Sequence, residues 1–76
     1  MMIITNDGYL IQGSPATIVE TLRQAQRLGS VQDNRTYMAD VASRVRLWCG
    51  VRVPTQNEEV FLEGLRQCEL VDILDM

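Results

Sequence analysis

The chain has 76 residues and a mass of 8.6 kDa, which allows one small domain, residues 1–76, and leaves no length for a second. Hydrophobic residues make up 46% and charged residues 22%, a composition that excludes a disordered chain. No apolar run is long enough to cross a membrane, and no basic stretch precedes a long apolar one. We therefore expect no signal peptide and a cytoplasmic protein.

The charge is distributed unevenly along the chain. The net charge is −3, from 10 acidic residues and 7 basic residues that are all arginine. Residues 1–53 hold six arginines and four acids, whereas residues 54–76 hold one arginine and six acids. This asymmetry is typical of solvated helix faces, and it also fits a bipolar surface that self-associates or binds a charged partner.

The first twelve residues predict a β-hairpin. Residues 2–5 and residues 9–12 have the apolar character of short strands. The sequence Asn6-Asp7-Gly8 between them is typical of a tight turn, because glycine accepts a positive φ and Asn and Asp tolerate one. The two strands are therefore predicted to pair.

A first helix is predicted to follow, with Ser14 as its N-cap and Pro15 at its first position. We expect it to end at Gly29 and to lead into a polar linker over residues 30–33. Its apolar face contains Ile18, Val19, Leu22 and Ala25.

A second helix is predicted to begin near Asp33 or Asn34 and to end at Gly50. Asp40 and Arg44 are spaced to form an ion pair on its outer side. Its apolar stripe suits a buried face. The stripe contains Tyr37, Met38, Val41, Ala42, Val45, Trp48 and Cys49.

The last third of the chain predicts a strand, a helix and a strand. Residues 51–53 form the first strand, and Thr55-Gln56-Asn57-Glu58 has the form of a capping box for the third helix. Residues 69–74 then alternate as a final strand. The third helix is predicted to bury Phe61, Leu62, Leu65 and Cys68.

The predicted fold class is α+β, a two-layer β-β-α-α-β-α-β domain. We expect the last β-α-β unit to be a right-handed crossover between parallel strands. The hairpin would complete a small mixed sheet, with helices mainly on one face.

The sequence offers little for catalysis or metal binding. It contains no histidine and no lysine, which removes the usual base near neutral pH and the commonest metal ligand. It has no glycine-rich phosphate-binding motif, and two cysteines alone cannot complete a zinc site. Cys49 and Cys68 are predicted to be reduced thiols that pack as small core residues. We therefore expect no catalytic residue, metal or cofactor.

An interface is predicted on the second helix. Helical periodicity places Leu47 outside the apolar stripe, and it places Tyr37 and Trp48 on the edge of the stripe beside Arg44. Trp, Tyr and Arg are the residues that most often anchor protein interfaces. The alternative is that the aromatic residues complete the core and that Leu47 is an isolated exposed side chain. Unpaired sheet edges are a second route to a partner or a second copy.

The leading hypothesis is a non-enzymatic protein-interaction module that binds another protein or forms a homodimer. The alternative is a phage or mobile-element inhibitor that presents its acidic C-terminal surface, residues 54–76, to a basic host protein. A third hypothesis is an arginine-based nucleic-acid binder, which the net negative charge disfavours. Its candidate residues are Arg35, Arg44, Arg46 and Arg52, near Tyr37 and Trp48.

Short motifs spread over most of the chain also carry a resemblance. They are Asp7-Gly8, Ile11-Gln12-Gly13-Ser14-Pro15, Ile18-Val19, Tyr37-Met38 with Val41 and Arg44, and Phe61-Leu62 with Leu65. In this order of motifs the chain resembles small bacterial proteins of unassigned function. The resemblance implies a bacterial or mobile-element origin and no catalytic residues.

Overall fold

The computed structural model describes residues 1–25 and 33–74, and its elements follow the order β-β-α-α-α-β. This confirms the predicted α+β class, with a three-stranded sheet that shares one hydrophobic core with three helices. The elements are β1 (Met2–Thr5), β2 (Leu10–Gln12), α1 (Pro15–Gln24), α2 (Asn34–Cys49), α3 (Glu58–Gln67) and β3 (Val71–Ile73).

The sheet has β1 at its centre, with β2 and β3 paired on either side of it, both antiparallel. Ile3 lies opposite Ile11 on one neighbour and Ile73 on the other, so the three side chains share a face. Ile3 is completely buried there. The other face carries Leu10 and Asp72, which are both exposed. The helices therefore cover one face of the sheet, as predicted.

The predicted strand at residues 51–53 is wrong, and so is the parallel crossover that it would form. Val53 is buried, but its side chain packs on α3, where a Cβ on Gly64 would lie 2.8 Å from Val53 Cγ1. Because this segment packs on a helix and does not pair with a strand, β3 pairs with β1. The sheet is consequently antiparallel and not mixed.

Local capping signals set the ends of the first two helices. The Ser14 side chain accepts a hydrogen bond from Thr17 N at 3.2 Å, which confirms the predicted N-cap of α1. Asp33 caps α2 and accepts from Thr36 N at 2.7 Å. The hydrogen bond from Thr36 N is the main reason that the pKa of the Asp33 carboxyl lies below its ordinary value. Gly50 ends α2 in the left-handed conformation, with a φ of 71°.

The start of the third helix differs from the prediction. Its N-cap is Asn57, whose side chain accepts from Val60 N at 3.0 Å, so the predicted capping box at Thr55 is wrong. The Glu58 side chain contacts Asn34 at 3.3 Å and does not turn back to its own helix end.

The first helix also ends earlier than predicted: α1 ends at Gln24, with the exposed Ala25 as its C-cap, so the predicted helix as far as Gly29 is wrong. Residues 30–32 of the predicted linker lie outside the described residues.

Asn34 joins the three helices. Its Nδ2 donates to Ala16 O at 3.2 Å in α1 and to Glu58 Oε2 at 3.3 Å in α3. Its Oδ1 accepts from Arg23 Nε at 3.1 Å. One carboxamide on the first turn of α2 therefore fixes the helix relative to both of its neighbours.

The core fills the space between the sheet and the helices. Its completely buried side chains are Ile3, Ile18, Val19, Val45, Phe61 and Leu62. Cys68 is half-buried against this cluster, whereas Cys49 is exposed. The predicted core position of Cys49 is wrong, because the residue is the last of α2 and the helix has already left the core. No helix within residues 1–25 and 33–74 has the length and apolar character needed to cross a membrane.

Candidate functional site

A cleft opens between the hairpin and one flank of α2. It consists of two adjoining hollows of about 520 and 230 Å³. Both hollows are lined by Thr5, Asp7, Leu22 and Tyr37. We call this the hairpin-side cleft. Because the hairpin, α1 and α2 each contribute a wall, the shape of the cleft depends on the tertiary fold.

Exposed aromatic side chains stand at the two ends of the hairpin-side cleft. Tyr9 is 70% exposed and lines the first hollow, and Trp48 is 72% exposed and lines the second. Large aromatic side chains of this kind supply rigid contact area, and they dominate binding energy in protein interfaces. Sequence reasoning missed Tyr9, although an aromatic residue directly after a tight turn was the available signal.

Tyr37 forms the inner wall of the cleft between these two ends. It is only 5% exposed, so it is buried and does not lie on the rim as predicted. Burial raises the pKa of Tyr37, and Asp40 adds to the rise, whereas Arg44 opposes it. Arg44 Nη2 lies 2.9 Å from Asp40 Oδ2, which confirms the predicted ion pair at the edge of the cleft.

The predicted interface residues are only partly brought together. Tyr37, Arg44 and Trp48 line the second hollow. Leu47 does not line it and projects from the adjoining side of α2, with 85% of its surface exposed. Leu47 and Trp48 form a projecting apolar pair at the end of α2. The use of these four residues as a protein interface stays a prediction.

A second cleft lies on the opposite flank of α2, against residues 51–56. We call it the segment-side cleft. Its volume is about 490 Å³, and its lining includes Ser43, Arg46, Arg52 and Thr55, all exposed. Nothing in the sequence predicts this cleft, because it depends on the packing of Val53 and Pro54 against Gly64 of α3.

The two thiols lie near one another at the C-terminal ends of α2 and α3. Burial raises the pKa of the Cys68 thiol, and the nearby Cys49 adds to the rise. A raised pKa disfavours the thiolate, which is the nucleophilic form of cysteine. Over the described part of the chain, no three Cys, Asp or Glu side chains gather as a possible metal site.

Several charged side chains already have intramolecular partners. Such pairs reduce the charge available to an external polyanion or to a basic protein. The pairs are Arg23 with Glu20, Arg44 with Asp40 and Arg66 with Glu63. The acidic-surface inhibitor and the arginine-based nucleic-acid binder stay predictions.

Comparison with known proteins returns no relative. The sequence matches no protein-family model and no curated protein, and the fold matches no solved structure. The chemistry of the two clefts beside α2 is therefore the basis for a functional proposal.

Proposed function

We propose that the chain is a non-enzymatic protein-interaction module that pairs with a second copy of itself through the hairpin-side cleft. The observation that supports this proposal most directly is the position of the apolar projection, Leu47 and Trp48, immediately beside an apolar hollow. A projection next to a hollow is self-complementary, because a twofold axis places each projection in the hollow of the other copy.

The exposed apolar side chains around the hairpin-side cleft support a second copy as the occupant. A standard interface buries about 800 Å² on each partner. A contact that extends from Tyr9 to Leu47 would cover the most exposed aromatic and aliphatic side chains of the hairpin and of α2.

The energy of such a pair comes mainly from apolar burial. Complete burial of one large apolar side chain contributes about 1.5–3 kcal/mol. In a twofold pair, Tyr9, Leu47 and Trp48 would each be buried twice. The Arg44–Asp40 pair at the edge of the cleft would remain in the polar rim, where charges contribute to specificity more than to affinity.

Sedimentation equilibrium of the wild-type chain and of the double variant Leu47→Glu/Trp48→Ala tests this proposal. We expect a dimer for the wild type at about 300 µM and a monomer for the double variant, because mass action favours the pair at high concentration. Leu74→Glu is the matched control, since Leu74 is an exposed leucine outside the hairpin-side cleft. A wild-type monomer at that concentration, or an unaffected double variant, contradicts the proposal.

A further inference from the structure

The segment-side cleft has a chemistry that the hairpin-side cleft lacks. Arg46 on α2 and Arg52 on the facing segment both line it, together with the hydroxyls of Ser43 and Thr55. Among the described residues that line this cleft, none is acidic. The cleft therefore combines two positive charges with neutral hydrogen-bonding groups.

The two arginines differ from the paired arginines of the chain. Arg44 and Arg66 each contact a carboxylate on their own helix. Among the residues that the structure describes, Arg46 and Arg52 form no ion pair and their side chains form no hydrogen bond. Both guanidinium groups are therefore available to a ligand, and their planar forks match the geometry of a carboxylate.

The backbone beside the arginines is also available. Within the described chain, residues 51–56 make no backbone hydrogen bond to one another or to any other element. The segment is nevertheless held in place, because Val53 is buried and both Val53 and Pro54 lie against Gly64 of α3. A fixed segment with unpaired N–H and C=O groups can accept the backbone of an added peptide.

We propose that the segment-side cleft binds an acidic segment of a partner protein. The carboxylates of the segment would pair with Arg46 and Arg52, and its backbone would hydrogen-bond to residues 51–56. A protein segment can pair with both the N–H and the C=O groups of residues 51–56, whereas a phosphate group can only accept from the N–H groups and the guanidinium groups. A nucleic acid is disfavoured because its phosphate backbone needs many positive contacts, and the described lining of the cleft provides two arginines.

The probe is a fluorescein-labelled hexaglutamate peptide, followed by fluorescence anisotropy at low salt with the full chain. We expect the peptide to bind, and the double variant Arg46→Gln/Arg52→Gln to lose at least tenfold in affinity. Arg66→Gln is the matched control, because Arg66 is an exposed arginine of α3 that lines neither cleft, and we expect its affinity to stay within about twofold of wild type.

Three further measurements test which groups of the cleft bind the peptide. A hexaglutamine peptide should not bind, and ¹H–¹⁵N spectra should show hexaglutamate shifting the amides of residues 51–56. The double variant Arg46→Lys/Arg52→Lys keeps the charges but loses the guanidinium forks, so we expect an intermediate affinity.

Four results would each overturn the proposal. They are the absence of hexaglutamate binding, unchanged affinity in a folded Arg46→Gln/Arg52→Gln variant, displacement of the peptide by an equal concentration of inorganic phosphate, and tighter binding of a single-stranded oligonucleotide that depends on the same arginines. The last result would identify the cleft as a nucleic-acid site.

Discussion

The two flanks of α2 line clefts of different chemistry. On one flank, Tyr37, Arg44 and Trp48 face the hairpin-side cleft, and on the other flank Arg46 faces the segment-side cleft. At about 100° per residue, Arg46 lies about 180° around the helix from Tyr37. The buried stripe that contains Val45 runs between them.

The difference comes from the elements that pack against each flank. The hairpin and α1 bring Tyr9 and Leu22 to one side, whereas residues 51–56 bring Arg52 to the other. One amphipathic helix thus contributes its central stripe to the core, and its two flanks line the two clefts that we propose as binding sites. If this division is correct, changes on one flank leave binding on the other flank intact.

The largest expected effect is at Gly64, against which Val53 and Pro54 in the wall of the segment-side cleft pack. A Cβ at Gly64 would lie 2.8 Å from Val53 Cγ1 and 2.9 Å from Pro54 Cδ. We expect Gly64→Val to lower the free energy of unfolding by about 3 kcal/mol, measured by urea denaturation, because overpacking displaces the segment. Gly64→Ala should cost less, since alanine adds one carbon and favours the helix. Unchanged stability in Gly64→Val would mean that the segment is not fixed by α3.

The next effect is at Asn34, which positions α2 between both clefts. We expect Asn34→Ala to lower the free energy of unfolding by about 2 kcal/mol, because it removes the partner of Arg23 and Glu58 in a partly buried site. Asn57→Ala is the matched control and should cost about 1 kcal/mol through the loss of one N-cap. Below the unfolding transition, dimer formation and hexaglutamate binding should both persist. A loss of binding at one cleft alone would show that Asn34 acts on that cleft directly.

Tyr9→Ala tests the hairpin end of the hairpin-side cleft. We expect the dimer to weaken at least tenfold, or by about 1.4 kcal/mol, as measured by sedimentation equilibrium. Stability at low concentration should change little, because the side chain is 70% exposed. Affinity for hexaglutamate should be unchanged, and a parallel loss of both kinds of binding would contradict the separation of the two clefts.

The smallest expected effect is the change in folding stability with pH that follows from the ionisation of Tyr37. Its pKa is raised above 10.0 in the folded chain, chiefly by burial, so the folded state holds the phenolic proton more tightly than the unfolded state. Stability is therefore full below pH 10 and declines as the pH rises through the folded pKa. We expect thermal unfolding between pH 9 and pH 11 to show this decline in the wild type and a smaller one in Tyr37→Phe. An identical decline in both would show that Tyr37 is not its source.

The parts of the fold that rest on local chemistry were predictable. Ser14 and Asp33 cap their helices, and Gly50 ends α2, because each acts through its own backbone and its nearest turn. The hairpin was predictable for the same reason. The conformation of residues 51–53 was not predictable, because a short β-branched segment suits a strand as well as it suits an extended loop. Val53 packs on α3 because Gly64 has no side chain there, which is a tertiary contact.

The candidate site was predictable only on α2. Helical periodicity placed Leu47 outside the apolar stripe and Trp48 on its edge, and both side chains are largely exposed. The same periodicity treated Tyr37 as a rim residue because it contains no information about the walls that the hairpin and α1 build around it. The arginine-lined cleft was missed because Arg46 and Arg52 meet through tertiary packing.

The fluorescence of Trp48 tests the pairing of two copies most directly, since it is the only tryptophan in the chain and is 72% exposed in a single copy. The measurement is the emission maximum of the wild-type chain between about 1 µM and about 500 µM, a range over which mass action shifts a micromolar dimer. We predict a blue shift with rising concentration that Leu47→Glu abolishes. An emission maximum that stays at the value of a solvent-exposed indole throughout the range would contradict the proposed dimer.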